Sequence, residues 1–337
     1  MSLRPSKRHA MRGINRLDLA TSEGKVLGDN YQTDHWKLRG GPAGLHLFNR
    51  TTGLNILLDD VPPPASLYSR APRQVSIAIT NRCDLACAHC YAPKSLDELQ
   101  FDTIVRWLTE LDEHGTLGVG FGGGEPTLYP EFALLCQCLA HKTRLSLSFT
   151  THGHQIDDAL AESLRGSVNF IRVSMDGVGA TYESIRHRSF AELFSQLKKV
   201  QSISQFGINV VINGQTLPDL NDVAIVAADI GACELLLLPQ VPVRGVPAIS
   251  SDDMQSLRRW VDSYRGPLKL CINESSAEGF PTCDPLVQEP GLRAYAHIDA
   301  RGVLKPSSYS DTGLKLSDGS VLQALDQLAH DLEENNI

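Results

Sequence analysis

The chain has 337 residues, a hydrophobic content of 42% and a formal net charge of −8. That length can bury a large core, and the hydrophobic share is ordinary for a soluble globular protein with one main domain and appendages. The acidic balance argues against nucleic-acid binding, which favours basic surfaces, and every apolar run falls far short of a bilayer span, so neither nucleic acid nor membrane is expected as a partner.

Residues 1–34 have little periodicity. Arg4, Lys7, Arg8, Arg12 and Arg16 are followed by no apolar segment. This is not a secretory signal, and a cytoplasmic location is expected. Eight cysteines then read as thiols and metal ligands rather than disulfides. Trp36 to Leu38, Leu45 to Phe48 and Leu54 to Leu58 read as strands, with Thr51-Thr52-Gly53 as a tight hairpin turn and Val61-Pro62-Pro63-Pro64 as a stiff linker. A short β appendage results.

From Gln74 strands and helices alternate. Strands are expected at Val75 to Thr80, Leu117 to Phe121, Leu145 to Phe149, Phe170 to Ser174, Ile208 to Ile212 and Leu235 to Leu238. Between them, apolar residues recur at helical spacing, as in Ile104, Val105, Leu108 and Leu111, with Gly115 as a stop. Six β/α units in a row imply a parallel sheet curled by right-handed crossovers into a partial (β/α)6 barrel, with helices outside. The fold class expected is therefore α/β, with a small N-terminal β appendage and a C-terminal α+β extension. The expected division is 1–70, 71–245 and 246–337. Ser250 to Tyr264 and residues 320–333 read as helices of that extension.

The first barrel strand delivers Cys83, Cys87 and Cys90 in a C-x3-C-x2-C run. A cubane iron–sulfur cluster normally takes four thiolates. Three from one loop leave one iron open to a small molecule. A zinc site with His89 or a distant residue as fourth ligand is the alternative, but no second knuckle accompanies the run. The second strand ends in Gly122-Gly123-Gly124-Glu125-Pro126. Consecutive glycines let backbone approach a ligand, and Glu125 puts a carboxylate at the rim where α/β barrels keep their chemistry, suited to an ammonium group. A tight turn is the other reading. Thr151-His152-Gly153-His154, Ser174 with Asp176, and Asn213 fall at the same rim. For Ser174 and Asp176 a helix cap or turn is the alternative.

With these motifs in order, the chain resembles the radical S-adenosylmethionine (radical SAM) enzymes over roughly residues 74 to 240. The resemblance rests on Cys83, Cys87, Cys90 and Tyr91, on Gly123-Gly124-Glu125-Pro126, and on Ser174-Met175-Asp176-Gly177, similar to the S-x-D-G run of peptide-maturing branches. It implies two cofactors, a 4Fe–4S cluster and S-adenosylmethionine. Reductive cleavage of S-adenosylmethionine to a 5′-deoxyadenosyl radical is then followed by hydrogen abstraction from a substrate. By the resemblance Cys83, Cys87 and Cys90 bind the cluster, and Tyr91 packs near the adenine. Gly123 and Gly124 offer backbone contacts, Glu125 sits by the methionine ammonium, and Ser174 and Asp176 face the ribose or carboxylate. Asn213 is a further cofactor contact. An electron donor such as flavodoxin or ferredoxin is an expected partner.

Ala296 to Ser307 is similar to the I-D-x-x-G-x-V-x-P-C run of SPASM and twitch extensions, but Ser307 stands where that run has cysteine. Serine is a poor iron ligand. With only Cys271 and Cys283 nearby, a degenerate extension is expected that keeps its hairpin and covers the active site. Cys136, Cys138 and Cys233 are expected as core thiols. The β appendage is similar to leader-peptide-binding modules without their helical half; a sheet capping the barrel bottom is the other reading. Three functions follow: a radical enzyme acting on a peptide or peptide-like substrate, one acting on a small metabolite or cofactor precursor, or a metal-stabilised binding protein.

Overall fold

The computed structural model describes residues 35–60, 62–282, 285–316 and 319–334. The expectations for the N-terminal tail and for Cys283 lie outside these residues. Three short strands come first: β1 (Trp36–Gly41), β2 (Gly44–Asn49) and β3 (Asn55–Leu58) form an antiparallel sheet with β2 in the middle. The barrel unit follows. Its strands are β4 (Gln74–Thr80), β5 (Gly118–Gly123), β6 (Ser146–Thr151), β7 (Phe170–Ser174), β8 (Gln205–Ile212) and β9 (Glu234–Pro239). The helices between them are α1 (Phe101–Glu113), α2 (Phe132–Lys142), α3 (Asp158–Leu164), α4 (Gly179–Arg186), α5 (Phe190–Ile203) and α6 (Leu220–Asp229). Every neighbouring pair from β4 to β9 is parallel, in chain order. The α/β partial barrel is thus the fold observed.

The sheet does not stop at residue 245. Helix α7 (Ser251–Ser263) leads to β10 (Lys269–Ile272), which adds a further parallel strand beside β9. On the opposite edge, β11 (Tyr295–Ile298) pairs parallel with β4, then β12 (Val303–Lys305) and β13 (Leu314–Lys315) continue antiparallel before the last helix, α8 (Val321–Glu334). The expected hairpin is present as β11–β12, and it lengthens the sheet at the β4 edge. No helix among the described residues is long and apolar enough to cross a membrane.

Alternation along each strand separates two environments. Val75, Ile77 and Ile79 of β4, Val119 and Phe121 of β5, and Ile171 and Val173 of β7 are fully buried against the helices. Ile104, Leu108 and Leu111 of α1 and Leu193, Leu197 and Val200 of α5 meet them as the i, i+3, i+4 stripes require. The intervening strand residues face the other way. On β5 they are Gly118, Gly120 and Gly122, so this stretch of inner wall carries no side chains. A Cβ on Gly122 would meet nothing within 4 Å, and one on Gly120 only the Ser148 hydroxyl at 3.4 Å. Small hydroxyl residues, Ser76, Ser146 and Ser148, flank this strip by register.

The appendage sits on the floor of the barrel. The Arg39 guanidinium, 1% exposed, donates to the carbonyls of Ala71 (2.7 Å), Gly115 (3.1 Å) and Arg293 (3.1 Å) and pairs with Glu289 at 3.2 Å. Lys37 reaches Asp112 and the Thr116 carbonyl, and Arg50 the Thr143 carbonyl at 2.7 Å. These carbonyls precede β4, β5, β6 and β11, which fixes the sheet at the N-terminal ends of the strands. Cys136 is buried, Cys138 is half-buried, and Cys233 lies at the surface just before β9, a departure from its expected place in the core.

Candidate active site

The chain leaves β4 at Thr80 and returns at Glu98, which faces Thr80 across an isolated bridge. The Asn81 amide donates to the Asp97 carbonyl at 2.9 Å, the Leu99 amide to the Ile79 carbonyl at 3.0 Å, and Arg82 pairs with Glu98 at 3.1 Å. These contacts close the neck of the loop that carries Cys83, Cys87 and Cys90. Within it the Cys90 amide donates to the Cys87 carbonyl at 3.2 Å, and the Leu85 amide to Cys83 Sγ at 3.4 Å. All three are free thiols. Lys94 Nζ lies 3.7 Å from Cys90 Sγ, and Arg186 Nη1 lies 3.6 Å from Cys87 Sγ. Burial pushes the Cys83 and Cys87 thiols up, opposed at Cys83 by the Leu85 amide and at Cys87 by Arg186. A metal centre reverses that preference, because it supplies the charge that stabilises thiolate. Three sulfur donors on one loop, two of them backed by cations, fit an iron–sulfur cluster. His89 does not stand free as a fourth ligand: its Nε2 is 3.1 Å from Asp176 Oδ2.

The glycine loop after β5 is fastened to the cysteine loop. The Gly124 amide donates to the Thr80 carbonyl at 2.8 Å and the Glu125 amide to the Arg82 carbonyl at 2.7 Å. A Cβ on Gly124 would lie 2.1 Å from the Arg82 carbonyl oxygen, and one on Gly123, at φ +112°, 2.3 Å from that of Thr80. These two glycines let the loops touch, while Gly122 faces the open side. Glu125 is 1% exposed. Its Oε1 accepts from Thr127 Oγ1 (2.7 Å) and Thr151 Oγ1 (2.8 Å), and its Oε2 from the His152 amide at 2.9 Å, with His152 Nε2 at 3.3 Å. His152 Nε2 bonds Asp84 at 2.8 Å, and Asp84 also receives Gln155 and Arg188. One polar chain therefore runs from the glycine loop through β6 to the cysteine loop. Cys83 Sγ, an Asp84 oxygen and a His152 nitrogen lie within 4.8 Å of one another.

Asp176 follows β7 and is 1% exposed. Its Oδ1 accepts from the Val211 amide at 2.8 Å, and its Oδ2 lies 2.5 Å from Arg186 Nη2. Burial alone would raise this carboxyl; Arg186, His89 and the Val211 amide outweigh it and hold it down at about 2. The same arrangement raises the Arg186 guanidinium. Arg186, Asp84 and the pairing of His89 with Asp176 carry no motif that marks them in the sequence. Arg186 belongs to α4, whose eight residues bury only Tyr182 and Ile185, too few for an apolar stripe to announce the helix. The signal available was the basic run Arg186-His187-Arg188 shortly after the S-x-D-G motif.

The remaining residues are placed differently. Ser174 ends β7 on the inner face, opposite Asn209. Asn213 uses its side chain locally, accepting from the Gln215 and Thr216 amides and donating to Gln240 Oε1 at 2.7 Å. Tyr91 turns to the C-terminal extension, its ring 5.0 Å from that of Tyr309. His154 bonds the Tyr182 hydroxyl at 2.7 Å, and burial pushes its imidazole down to about 4.

The arrangement is an open parallel α/β barrel that carries three free thiols on one loop and a buried ion pair, Asp176–Arg186, at its C-terminal rim. Residues 77–226 match the family described as the Radical SAM superfamily. It is 28% identical to the mycofactocin maturase MftC of Mycolicibacterium smegmatis, over 48% of this chain and 43% of that one. It is 27% identical to a GTP 3′,8-cyclase of Rhizobium meliloti, over 48% of this chain and 49% of that one. The chain thus spans about half the length of the relatives it matches. In fold it is similar to Streptococcus suis SuiB bound to its precursor peptide SuiA, with a TM-score of 0.71, 15% identity and 87% of each chain covered.

Proposed function

We propose that this protein is a radical SAM enzyme that modifies a peptide or peptide-like substrate inside its barrel. The observation that carries the reading is the fastening of three motif loops to one another at one rim, with the thiols of Cys83, Cys87 and Cys90 in their midst. Cys83, Cys87 and Cys90 would hold a 4Fe–4S cluster, and S-adenosylmethionine would bind beside it. When bound, the pair supplies one-electron chemistry that ends in hydrogen abstraction from a carbon of the substrate.

The residues of the chain do the rest. Asp176 orients Arg186 at Cys87, and Arg186 keeps its buried Nε unpartnered, a donor available to the carboxylate of an amino-acid cofactor. Glu125, locked by Thr151 and His152, keeps a carboxylate beside the glycine loop, and Ser174 offers a hydroxyl from the inner wall. Gly122 leaves space that any other residue would take. The bare strip on β5 leaves room for a substrate segment beside the glycine loop. Electrons would come from a small donor protein such as a flavodoxin or ferredoxin.

The likeness to mycofactocin maturase favours a peptide substrate; the likeness to GTP 3′,8-cyclase favours the second reading, a small metabolite or cofactor precursor. Anaerobic reconstitution with iron and sulfide, then dithionite and S-adenosylmethionine, tests the common part. Release of 5′-deoxyadenosine is expected, together with a change in the electron paramagnetic resonance spectrum on adding S-adenosylmethionine. Alanine at any of the three cysteines abolishes both. An unchanged spectrum and no 5′-deoxyadenosine from the intact chain defeat the proposal.

A further inference from the structure

The loop that follows β9 carries a residue that no motif marks. Val243 and Val246 exchange backbone hydrogen bonds at 3.0 and 2.8 Å, which leaves Arg244 and Gly245 as the central pair of a tight turn. Their φ angles are +47° and +83°. Such a turn needs two left-handed residues, and Asn, Asp or Gly usually supplies the first. Arg244 and His187 are the only described residues other than glycine with positive φ. An arginine held in this region is strained, and strain of this kind persists only where surrounding contacts hold it.

The contact here is a long one in sequence. Arg244 Nη2 donates to the Ala92 carbonyl at 2.6 Å, across 152 positions of the chain. Ala92 is 2% exposed and lies two residues beyond Cys90. In the sheet, β9 stands five strand spacings from β4. Laid flat, that separation is about 24 Å. A direct hydrogen bond between the loops that leave their C-terminal ends therefore crosses the mouth of the curled sheet. The base of the turn is fixed to the barrel. The Gln240 amide donates to the Ile212 carbonyl at 3.0 Å, the Ile249 amide to the Gln240 carbonyl at 2.8 Å, and Asn213 Nδ2 to Gln240 Oε1 at 2.7 Å.

The two ends of the cysteine loop are thus held from opposite sides. The glycine loop after β5 fastens the first end at the Thr80 and Arg82 carbonyls. At the second end, His89 and Tyr91 are met through their side chains, by Asp176 and Tyr309, while Arg244 takes the backbone. We propose that Arg244 is a positioning residue: it ties the Cys90 end of the cysteine loop to the far wall of the barrel, and S-adenosylmethionine is held productively only while that tie is made. The inference rests on the radical SAM reading of the function. It acts through the loop, with no contact to the thiols required of Arg244 itself.

Two substitutions separate the contact from the strain. Arg244→Gly suits the left-handed turn and removes the guanidinium; Arg244→Lys keeps a cationic donor in the same strained turn. The first measure is hydrogen exchange on the full chain, read by mass spectrometry over residues 83–97. Arg244→Gly speeds exchange there about tenfold, as loss of one charge-assisted hydrogen bond does, with strands β4 to β9 unchanged and the melting temperature no lower than that of the parent. The second is the S-adenosylmethionine concentration that half-completes the change in the electron paramagnetic resonance spectrum of the reconstituted chain. It rises about tenfold in Arg244→Gly, and Arg244→Lys lies between the two in both measures. Parental exchange over residues 83–97, or a parental titration, in Arg244→Gly overturns the tie. Equal acceleration across β4 to β9 assigns the effect to general destabilisation and overturns it too, as does a lysine variant no better than the glycine one. An intact chain with no spectral change and no 5′-deoxyadenosine removes the radical reading and with it the role in holding S-adenosylmethionine; the exchange comparison alone still decides whether Arg244 ties the loop.

Discussion

At the residue scale, the Asp176–Arg186 pair decides how the rim is held. Both groups are buried, and each is the chief counter-charge of the other. Arg186→Met strands a buried carboxylate, and a loss of about 3–5 kcal/mol in unfolding free energy is expected from chemical denaturation. The pH dependence has a definite sign. The folded-state value of Asp176, about 2, lies below its ordinary value of 3.8. Its contribution is therefore complete above about pH 4 and is lost as pH falls toward 2. His297 behaves on a higher window. Burial pushes it down to about 4 from 6.5, while its Nδ1 bonds Ser76 Oγ at 2.7 Å. Protonation then favours the unfolded chain, so stability is fully present above about pH 6.5 and falls toward pH 4. That term is roughly 3 kcal/mol. His297→Asn flattens the pH profile of the melting temperature between those limits.

At the element scale, the contrast between Gly122 and Gly124 separates structural from functional need. Gly124→Ala places a methyl 2.1 Å from the Arg82 carbonyl oxygen, a backbone atom that cannot swing aside. The loops must part, and a cost of about 1–3 kcal/mol is expected, together with reduced iron uptake on reconstitution. Gly122→Ala meets nothing within 4 Å. Its melting temperature stays that of the parent, while the space beside the motif shrinks. Equal destabilisation by both changes would contradict this division. The strands and most helices are legible in the sequence because each has its own period: Val75, Ile77 and Ile79 repeat by two, Ile104, Leu108 and Leu111 by three or four. Helix α4 and strand β10 are not, because α4 buries two side chains and β10 spans only four residues. Such short elements form because neighbours already in place receive them.

At the scale of the whole molecule, the appendage and barrel are joined through Arg39, whose guanidinium satisfies three carbonyls and one carboxylate. Arg39→Met leaves the buried Glu289 with only the more distant Arg73, at 3.9 Å, as a counter-charge. A loss of about 3–5 kcal/mol is expected, with faster hydrogen exchange in β1 to β3 than in β4 to β9. Uniform acceleration across both sheets would argue against a separable joint. Sheet continuity reaches the other way too. Strand β11 pairs with β4, and the connection after β12 brings Tyr309 onto Tyr91. A residue that the motif associates with the adenine is thereby drawn to the C-terminal extension, a partner more than 200 positions away that no local pattern discloses.

The parallel α/β order, the rim at which the motifs gather and the three thiols are written into the chain locally, because strand period, glycine turns and cysteine spacing are properties of short segments. Which side chains meet across that rim follows from the packing of segments far apart in the chain. Arg186 behind Cys87, His89 on Asp176, and Asp84 on His152 depend on contacts between distant elements. The partners that the fold brings together, rather than any spacing, set the hydrogen bonds and ion pairs of each group.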